Sequence, residues 1–339
     1  MSDGMRVLQL TRRVYGPDEE HYREISRLLG SVCVVSTERY GLLGFVSQAF
    51  RMSRRSDLVV ANDFFLLGLV ALIVSKINRK PLLVTAHGVD WGFAMRRFWV
   101  PVFWHLFRRP ILLLCDLVKV DCEATRRLLV MWHVPEAKIR VLGSYVDLEL
   151  FKPEPISHDY PTLLYVGSRD PVKGVDRLLE MFSRIREQIP SVQLHVCGFK
   201  YHEAPGVTYY GFVPHDELPE YYNRCDVYVQ ASYSESFGRS VAEAMACGKA
   251  VVVFNVGGLS ETIGWGGLLV PNDDSESFVK SVVWLLQNPD ARSRLGAEAR
   301  KQALKYEFHT RERRLVEVYE EARGRGHISY GSHAMLPFM

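Results

Sequence analysis

Short runs of aliphatic and β-branched residues recur along this chain, separated by longer stretches with helical spacing. In the first half the runs fall at Arg6–Leu10, Val32–Ser36, Leu58–Ala61, Leu82–Thr85, Leu117–Asp121 and Ile139–Leu142, with helical segments such as Glu19–Leu29 and Phe65–Ile77 between them. The pattern then restarts, with runs at Thr162–Val166, Gln193–Cys197, Thr208–Tyr210, Val227–Gln230, Val251–Phe254 and Gly267–Val270. Strands alternating with helices predict parallel sheets flanked by helices, an α/β architecture. Between the halves, Phe151 to Pro161 holds three prolines and no apolar period, and reads as a linker. The expectation is two Rossmann-like domains facing each other across a cleft, residues 1–150 and 151–323. The last helix of the second is expected to pack back on the first. Ligands in such sheets bind beyond the carboxyl ends of the strands. Gly324–Met339 holds three glycines without helical period and reads as a tail.

A chain of 339 residues suits two domains. The longest apolar run, Phe64 to Val74, is too short to span a bilayer and suits a buried helix. No basic stretch followed by an apolar run opens the chain, so no signal peptide is expected. The six cysteines form no C-x-x-C pair and show no zinc spacing, which points to buried, reduced thiols and a cytoplasmic setting. The net charge of +3 is unevenly spread. Residues 1–150 carry 21 Lys and Arg against 15 Asp and Glu, while the rest carry 21 against 24. The basic half can face an anionic partner, or be an ordinary solvated surface.

Three segments carry candidate chemistry. From Ser232 to Val253 a strand runs through a loop holding Glu235 into a helix beginning near Phe237–Gly238 and ending at Gly248. The free N–H groups of a helix N-terminus suit a diphosphate, and Gly238 lets the backbone approach it. Glu235 and Glu243, one before the helix and one two turns into it, suit the paired hydroxyls of a sugar. The alternative makes Glu235 a helix cap and Glu243 surface charge. From Tyr165 to Phe182 a strand leads through Gly167 into a loop whose cations, Arg169 and Lys173, can neutralise a leaving diphosphate. In Thr85–Trp91 a strand delivers His87 to its carboxyl end, with Asp90 as an acceptor-site candidate.

These segments together resemble the retaining GT-B glycosyltransferases of family four, the glycosyl transferases group 1. Glu235 and Glu243 match both acids of that family's E-x7-E motif, and Phe237 and Gly238 match its F-G. Gly167, Lys173 and Gly174 match its G-R-x4-K-G pattern, where Ser168 replaces the arginine and Arg169 stands one residue late. Gly198 remains from an h-h-G-x-G turn, and Phe212 and Val213 stand where the family meets the nucleotide base, although core packing suits Phe212 equally. Gly16 and His21 match the N-terminal glycine motif, in which Pro17 replaces the second glycine and removes one N–H. Val146, Asp147, Phe151 and Pro153 match an inter-domain signature.

The resemblance implies retaining transfer of a hexose from a UDP- or GDP-sugar to a hydroxyl of a glycan or lipid-linked acceptor. It implies no essential metal, no other cofactor and no nucleic-acid partner. Glu235 and, from the other domain, His87 would contact the donor sugar, Glu243 the ribose, and Lys173 the diphosphate. The aromatic and arginine-rich stretch at residues 96–110, with Trp99 and Trp104, reads either as a peripheral membrane or lipid-acceptor segment or as a core helix with snorkelling arginines. A nucleotide-sugar epimerase and a non-catalytic nucleotide-sugar-binding scaffold are the rival readings.

Overall fold

The computed structural model describes residues 4–12, 16–63, 65–87, 108–156 and 159–331. Two six-stranded sheets, parallel throughout, organise them. The first contains β1 (Met5–Thr11), β2 (Gly30–Ser36), β3 (Leu58–Ala61), β4 (Leu82–Ala86), β5 (Leu117–Val120) and β6 (Ile139–Val141), in the order β2-β1-β3-β4-β5-β6. The second contains β7 (Thr162–Val166), β8 (Gln193–Cys197), β9 (Val207–Gly211), β10 (Val227–Gln230), β11 (Ala250–Phe254) and β12 (Leu268–Val270), in the order β12-β11-β10-β7-β8-β9. Every expected run is a strand, and no end is shifted by more than two residues.

In the first domain the described helices are α1 (Gly16–Leu29), α2 (Thr37–Ser53), α3 (Leu66–Ile77), α4 (Arg109–Leu114) and α5 (Glu123–Met131). The second carries α6 (Val175–Gln188), α7 (Leu218–Arg224), α8 (Arg239–Ala246), α9 (Leu259–Ile263), α10 (Ser275–Gln287) and α11 (Pro289–Ala303), and the chain closes on α12 (Phe308–Gly331). One apolar core of the first domain joins Met5, Val7, Leu58, Val60, Leu83 and Leu117 of the sheet to Ile25 and Leu29 of α1 and to Leu315, Tyr319 and Ala322 of α12. The second core is larger and collects the apolar residues of β7, β8, β10 and β11 with those of α6, α8 and α10.

Four details differ from the sequence reading. The compact units divide at Leu142–Gly143 and again at Phe308–His309, not near residue 150. Val146 and Phe151 belong to the second core, so the expected linker begins inside a domain. Asp147 explains why: its carboxylate accepts from the N–H groups of Glu149 and Leu150, each at 3.0 Å, and its carbonyl from Phe151 N (2.8 Å), turning Phe151 inward. The stretch from residue 324, read as a tail, is helical as far as Gly331. The apolar run around residue 70 is buried along one side only, since Leu66, Leu69, Ile73 and Ile77 of α3 are exposed.

The second sheet has doubly-wound topology. Its first strand, β7, lies between β8 and β10, so sheet growth reverses there. At such a reversal the loops leaving the two strands diverge to opposite faces and open a crevice at their carboxyl ends. The loops concerned are those after Val166 and after Gln230.

Candidate functional site

The loop after β7 turns through Gly167, whose N–H donates to the Cys197 carbonyl at 3.0 Å. Asp170 accepts from Val172 N (3.0 Å) and starts the single 3-10 turn Pro171–Lys173. Gly174 then takes a left-handed conformation, φ 63°, and passes so close to the next loop that a Cβ would lie 2.0 Å from the Ala231 carbonyl. Only glycine meets both conditions. The beginning of α6 is thereby pressed against the loop after β10. Arg177 of α6 completes the clamp, donating to the carbonyls of Ala231 (2.5 Å) and Ser232.

This contact delivers Lys173 to Glu235. The ammonium donates to Glu235 Oε1 at 2.7 Å, and the carboxylate side chain is only 9% exposed. Gln230, the last residue of β10, also donates to Oε1, as does Ser232 Oγ at 3.1 Å. Gln230 is itself fixed through its Oε1, which accepts from Tyr228 (2.8 Å) and Ser240 (3.1 Å). One carboxylate oxygen is thus held by three donors, and Oε2 takes part in none of these bonds. Lys173 has three N–H groups and gives one to Glu235. Among the described residues, a carboxylate oxygen and ammonium protons stay available side by side, a pairing that suits a sugar attached to a phosphate.

Gly238 is the N-cap of α8, and no side chain caps the helix. The first intrahelical bond runs from Ala242 N to the Gly238 carbonyl, so the N–H groups of the first turn are not used within the helix. Glu243 lies further along α8 and is buried, which rules out the surface-charge alternative. Its Oε1 is 3.0 Å from His215 Nε2, and its Oε2 accepts from the Tyr222 hydroxyl at 2.8 Å. Burial, then the Glu243 charge beside it, pushes the Tyr222 phenol well above its ordinary range, so it stays a donor. Phe151 packs edge-on against both His215 and Tyr222.

The remaining donor-site candidates separate into two groups. Gly198 sits against Gly167: with φ 123°, a Cβ there would lie 2.0 Å from the Gly167 carbonyl, so this glycine shapes the crevice wall. Val213 is buried in the domain core, whereas Phe212 is 84% exposed, which excludes the core-packing reading of its ring. Phe237 turns its ring inward onto Tyr306, with centroids 5.0 Å apart. Arg169 is not part of the Lys173–Glu235 cluster; its guanidinium lies over the Tyr201 ring, 3.6 Å from the centroid. Ser168 is exposed, and its carbonyl accepts from Tyr165 at 3.0 Å.

In the first domain His87 follows β4, half exposed, with Nδ1 3.0 Å from Asp121 Oδ2. Asp121 is buried, and its Oδ1 accepts from Lys119 at 2.6 Å. Burial would raise the Asp121 pKa, but the Lys119 ammonium and His87 outweigh it and hold the group below the usual carboxylate range. An ionised carboxylate only accepts, so Nδ1 is the donor and Nε2 is the nitrogen left for a ligand. Gly16 opens α1, and Pro17 falls in its first turn, where an N–H has no intrahelical partner in any case. Asp90, Trp99, Trp104 and residues 96–107 lie outside the described residues.

Residue reasoning missed Gln230, Ser232, His215, Tyr222, Lys119 and Asp121. Lys119 and Asp121 had a signal: two charges at i and i+2 place polar groups on one face of an otherwise apolar strand.

The family model described as Glycosyl transferases group 1 matches residues 146–302, and that described as Glycosyltransferase Family 4 matches residues 2–150. The chain belongs to the group 1 glycosyltransferases. Among curated relatives of this glycosyltransferase, a D-inositol 3-phosphate glycosyltransferase of Thermobispora bispora is 29% identical over 243 residues, 62% of this chain and 57% of the relative. The chain thus spans less than two thirds of that relative's length. Among solved structures, sucrose-phosphate synthase of Thermosynechococcus elongatus superposes with a TM-score of 0.78 at 22% identity, covering 94% of this chain and 98% of that one. Anabaena HepE, solved in complex with UDP-glucose, superposes with a TM-score of 0.74 at 19% identity, covering 93% and 99%. The fold is GT-B, built of two Rossmann-like domains.

Proposed function

We propose that this glycosyltransferase moves a hexose from a UDP- or GDP-sugar to a hydroxyl of a glycan or lipid-linked acceptor, with retention of configuration and without a metal ion. The observation that carries the reading is the meeting of Lys173 and Glu235 at the sheet reversal, beside the uncapped N-terminus of α8. The diphosphate rests on Lys173 and the first-turn N–H groups of α8, which stabilise the charge that grows as the sugar–phosphate bond breaks. Glu235 Oε2 accepts from sugar hydroxyls while Oε1 stays held. Glu243, oriented by His215 and Tyr222, receives the ribose, and Phe212 offers its exposed face to the base. Within the first domain, His87 offers its Nε2 to a substrate. The acceptor hydroxyl attacks on the face the diphosphate leaves, its oxygen bonding to the anomeric carbon and its proton passing to the departing phosphate oxygen. Glu235 positions the sugar and forms no covalent adduct. The nucleotide-sugar in the HepE complex supports this choice of donor.

Thermal-shift screening of UDP-, GDP- and ADP-sugars tests the donor assignment. A single nucleotide class should raise the melting temperature, because a ligand that binds only the folded state stabilises it by mass action. Lys173→Ala and Glu243→Ala should abolish that rise. No shift with any donor at millimolar concentration overturns the reading. With a donor identified, chelation by EDTA should leave the rate unchanged, and NMR of the product should show the donor's own anomeric configuration.

A further inference from the structure

The first domain carries an apolar face that its own core does not use. α2 is interrupted at Gly41, and just beyond it Leu42, Leu43 and Val46 are exposed, Leu43 at 87%. On α3 the exposed Leu66, Leu69, Ile73 and Ile77 are spaced by three, four and four residues, which places them on one stripe. The opposite sides of both helices are buried through Phe45 and Ala49, and through Leu67, Ala71 and Val74.

The two helices present these stripes together. α2 joins β2 to β3 and α3 joins β3 to β4, two crossovers running in the same direction along the sheet. Right-handed connections therefore place them on the same face, side by side and parallel. Asn78 Nδ2 donates to Ser53 Oγ at 2.8 Å and ties their C-terminal ends. At those ends stand the exposed cations Arg51, Arg54, Arg55, Lys76 and Arg79. Among the described acids on or flanking the two helices, Glu38 lies in the first turn of α2, Asp57 is held by Arg6 at 2.9 Å, and Asp63, just ahead of α3, is held by Arg12 at 3.1 Å.

We propose that the α2–α3 face is a peripheral docking surface for an anionic lipid bilayer. Leu42, Leu43, Val46, Leu66, Leu69 and Ile73 would enter the headgroup boundary, and the cations would pair with lipid phosphates. An apolar stripe with cations of one sign at its margin is the pattern that binds such surfaces. The proposal uses none of Lys173, Glu235 and His87 and does not rest on the donor-site reading.

Co-sedimentation with vesicles of phosphatidylcholine, with and without 30 mol% phosphatidylglycerol (about that fraction suffices to set a surface potential), tests this. The wild type should pellet with the anionic vesicles, remain in solution with neutral ones, and be released by raised salt. Arg51→Gln, Arg54→Gln and Arg55→Gln combined should weaken partitioning by about a hundredfold, since each cation near the surface contributes about fivefold. Leu43→Ser with Ile73→Ser should also release the protein. Both sets change exposed residues, and the donor-induced thermal shift should be retained in both. Failure to bind anionic vesicles overturns the proposal. So does binding that is equal on neutral vesicles, binding that survives in both variant sets, or self-association in sedimentation velocity that the same substitutions abolish without any vesicle binding.

Discussion

In the second domain, Lys173 and Glu235 are 62 residues apart in sequence and 2.7 Å apart in space; in the first, His87 and Asp121 are 34 apart and 3.0 Å from each other. The two pairs look alike and differ in what holds them. The Lys173–Glu235 pair is built on backbone: glycine conformations, a 3-10 turn and an arginine clamp bring two loops together at the sheet reversal. The His87–Asp121 pair is built on a buried charge, because Asp121 is balanced inside the domain by Lys119. One arrangement leaves its charges partly open at the sheet reversal, where the proposed function puts the donor, and the other uses a charge to orient a single ring. The same substitution logic should therefore give opposite outcomes in the two domains: lost chemistry in one, lost stability in the other.

The largest effect expected is on stability. Asp121→Val strands the buried Lys119 ammonium and should destabilise the protein by about 3–5 kcal/mol in thermal or urea denaturation. Lys119→Met with Asp121→Val should recover most of the loss; if the double variant is no more stable than the single one, the charge-balance account fails. Acid should act on the same groups. Burial raises the Asp121 and Glu312 pKa values, but Lys119 and His87 in one case, and His21 and Arg311 in the other, hold both below the usual range. Their contribution is complete above about pH 4, where the unfolded chain's carboxylates are ionised, and is lost as the pH falls through the folded values. The melting temperature of the wild type should drop more steeply below about pH 4 than that of the double variant.

Next comes chemistry. Lys173→Ala should lower kcat by about a hundredfold to a thousandfold, the scale of removing one donor from a developing anion, with little change in melting temperature. A comparable fall in stability would erase the contrast between the domains. Gln230→Leu is a milder probe of the same loop. It frees Glu235 from one of its three donors, and kcat should fall about tenfold while the donor KM changes little. The smallest effect expected is that of Arg169→Ala. With its guanidinium over Tyr201, Arg169 should contribute less than about threefold to kcat/KM; a loss as large as that of Lys173→Ala would mean that the loop rearranges around the donor.

Much of the molecule was legible before folding was considered. Strand positions were readable because a parallel strand buried on both faces must be an apolar run bounded by polar turns. The candidate motifs were readable because Gly174, Gly198 and Gly238 mark places where the backbone takes conformations or close approaches that favour glycine. The acid pair was readable from its spacing around a helix start. The partners of those acids were not. Nothing local predicts that His215 and Tyr222 meet Glu243, 28 and 21 residues away, or that Tyr228, Gln230 and Ser240 form one chain of hydrogen bonds behind Glu235. Arg169 shows the converse. Its position in the motif looked serviceable, and the location of Tyr201 sent it elsewhere.

The sequence by itself determined the two-sheet α/β architecture, the family to which the chain belongs and the residues with the right functional groups, since each of these depends on patterns within one element or one loop. Tertiary structure alone decided which oxygen of Glu235 is held, that Glu243 is buried, that the last helix completes the first domain's core, and that the long apolar run of α3 shows one side to solvent. Those outcomes depend on contacts between elements far apart in the chain, where burial and charge are set by whichever neighbour the sheet topology brings alongside.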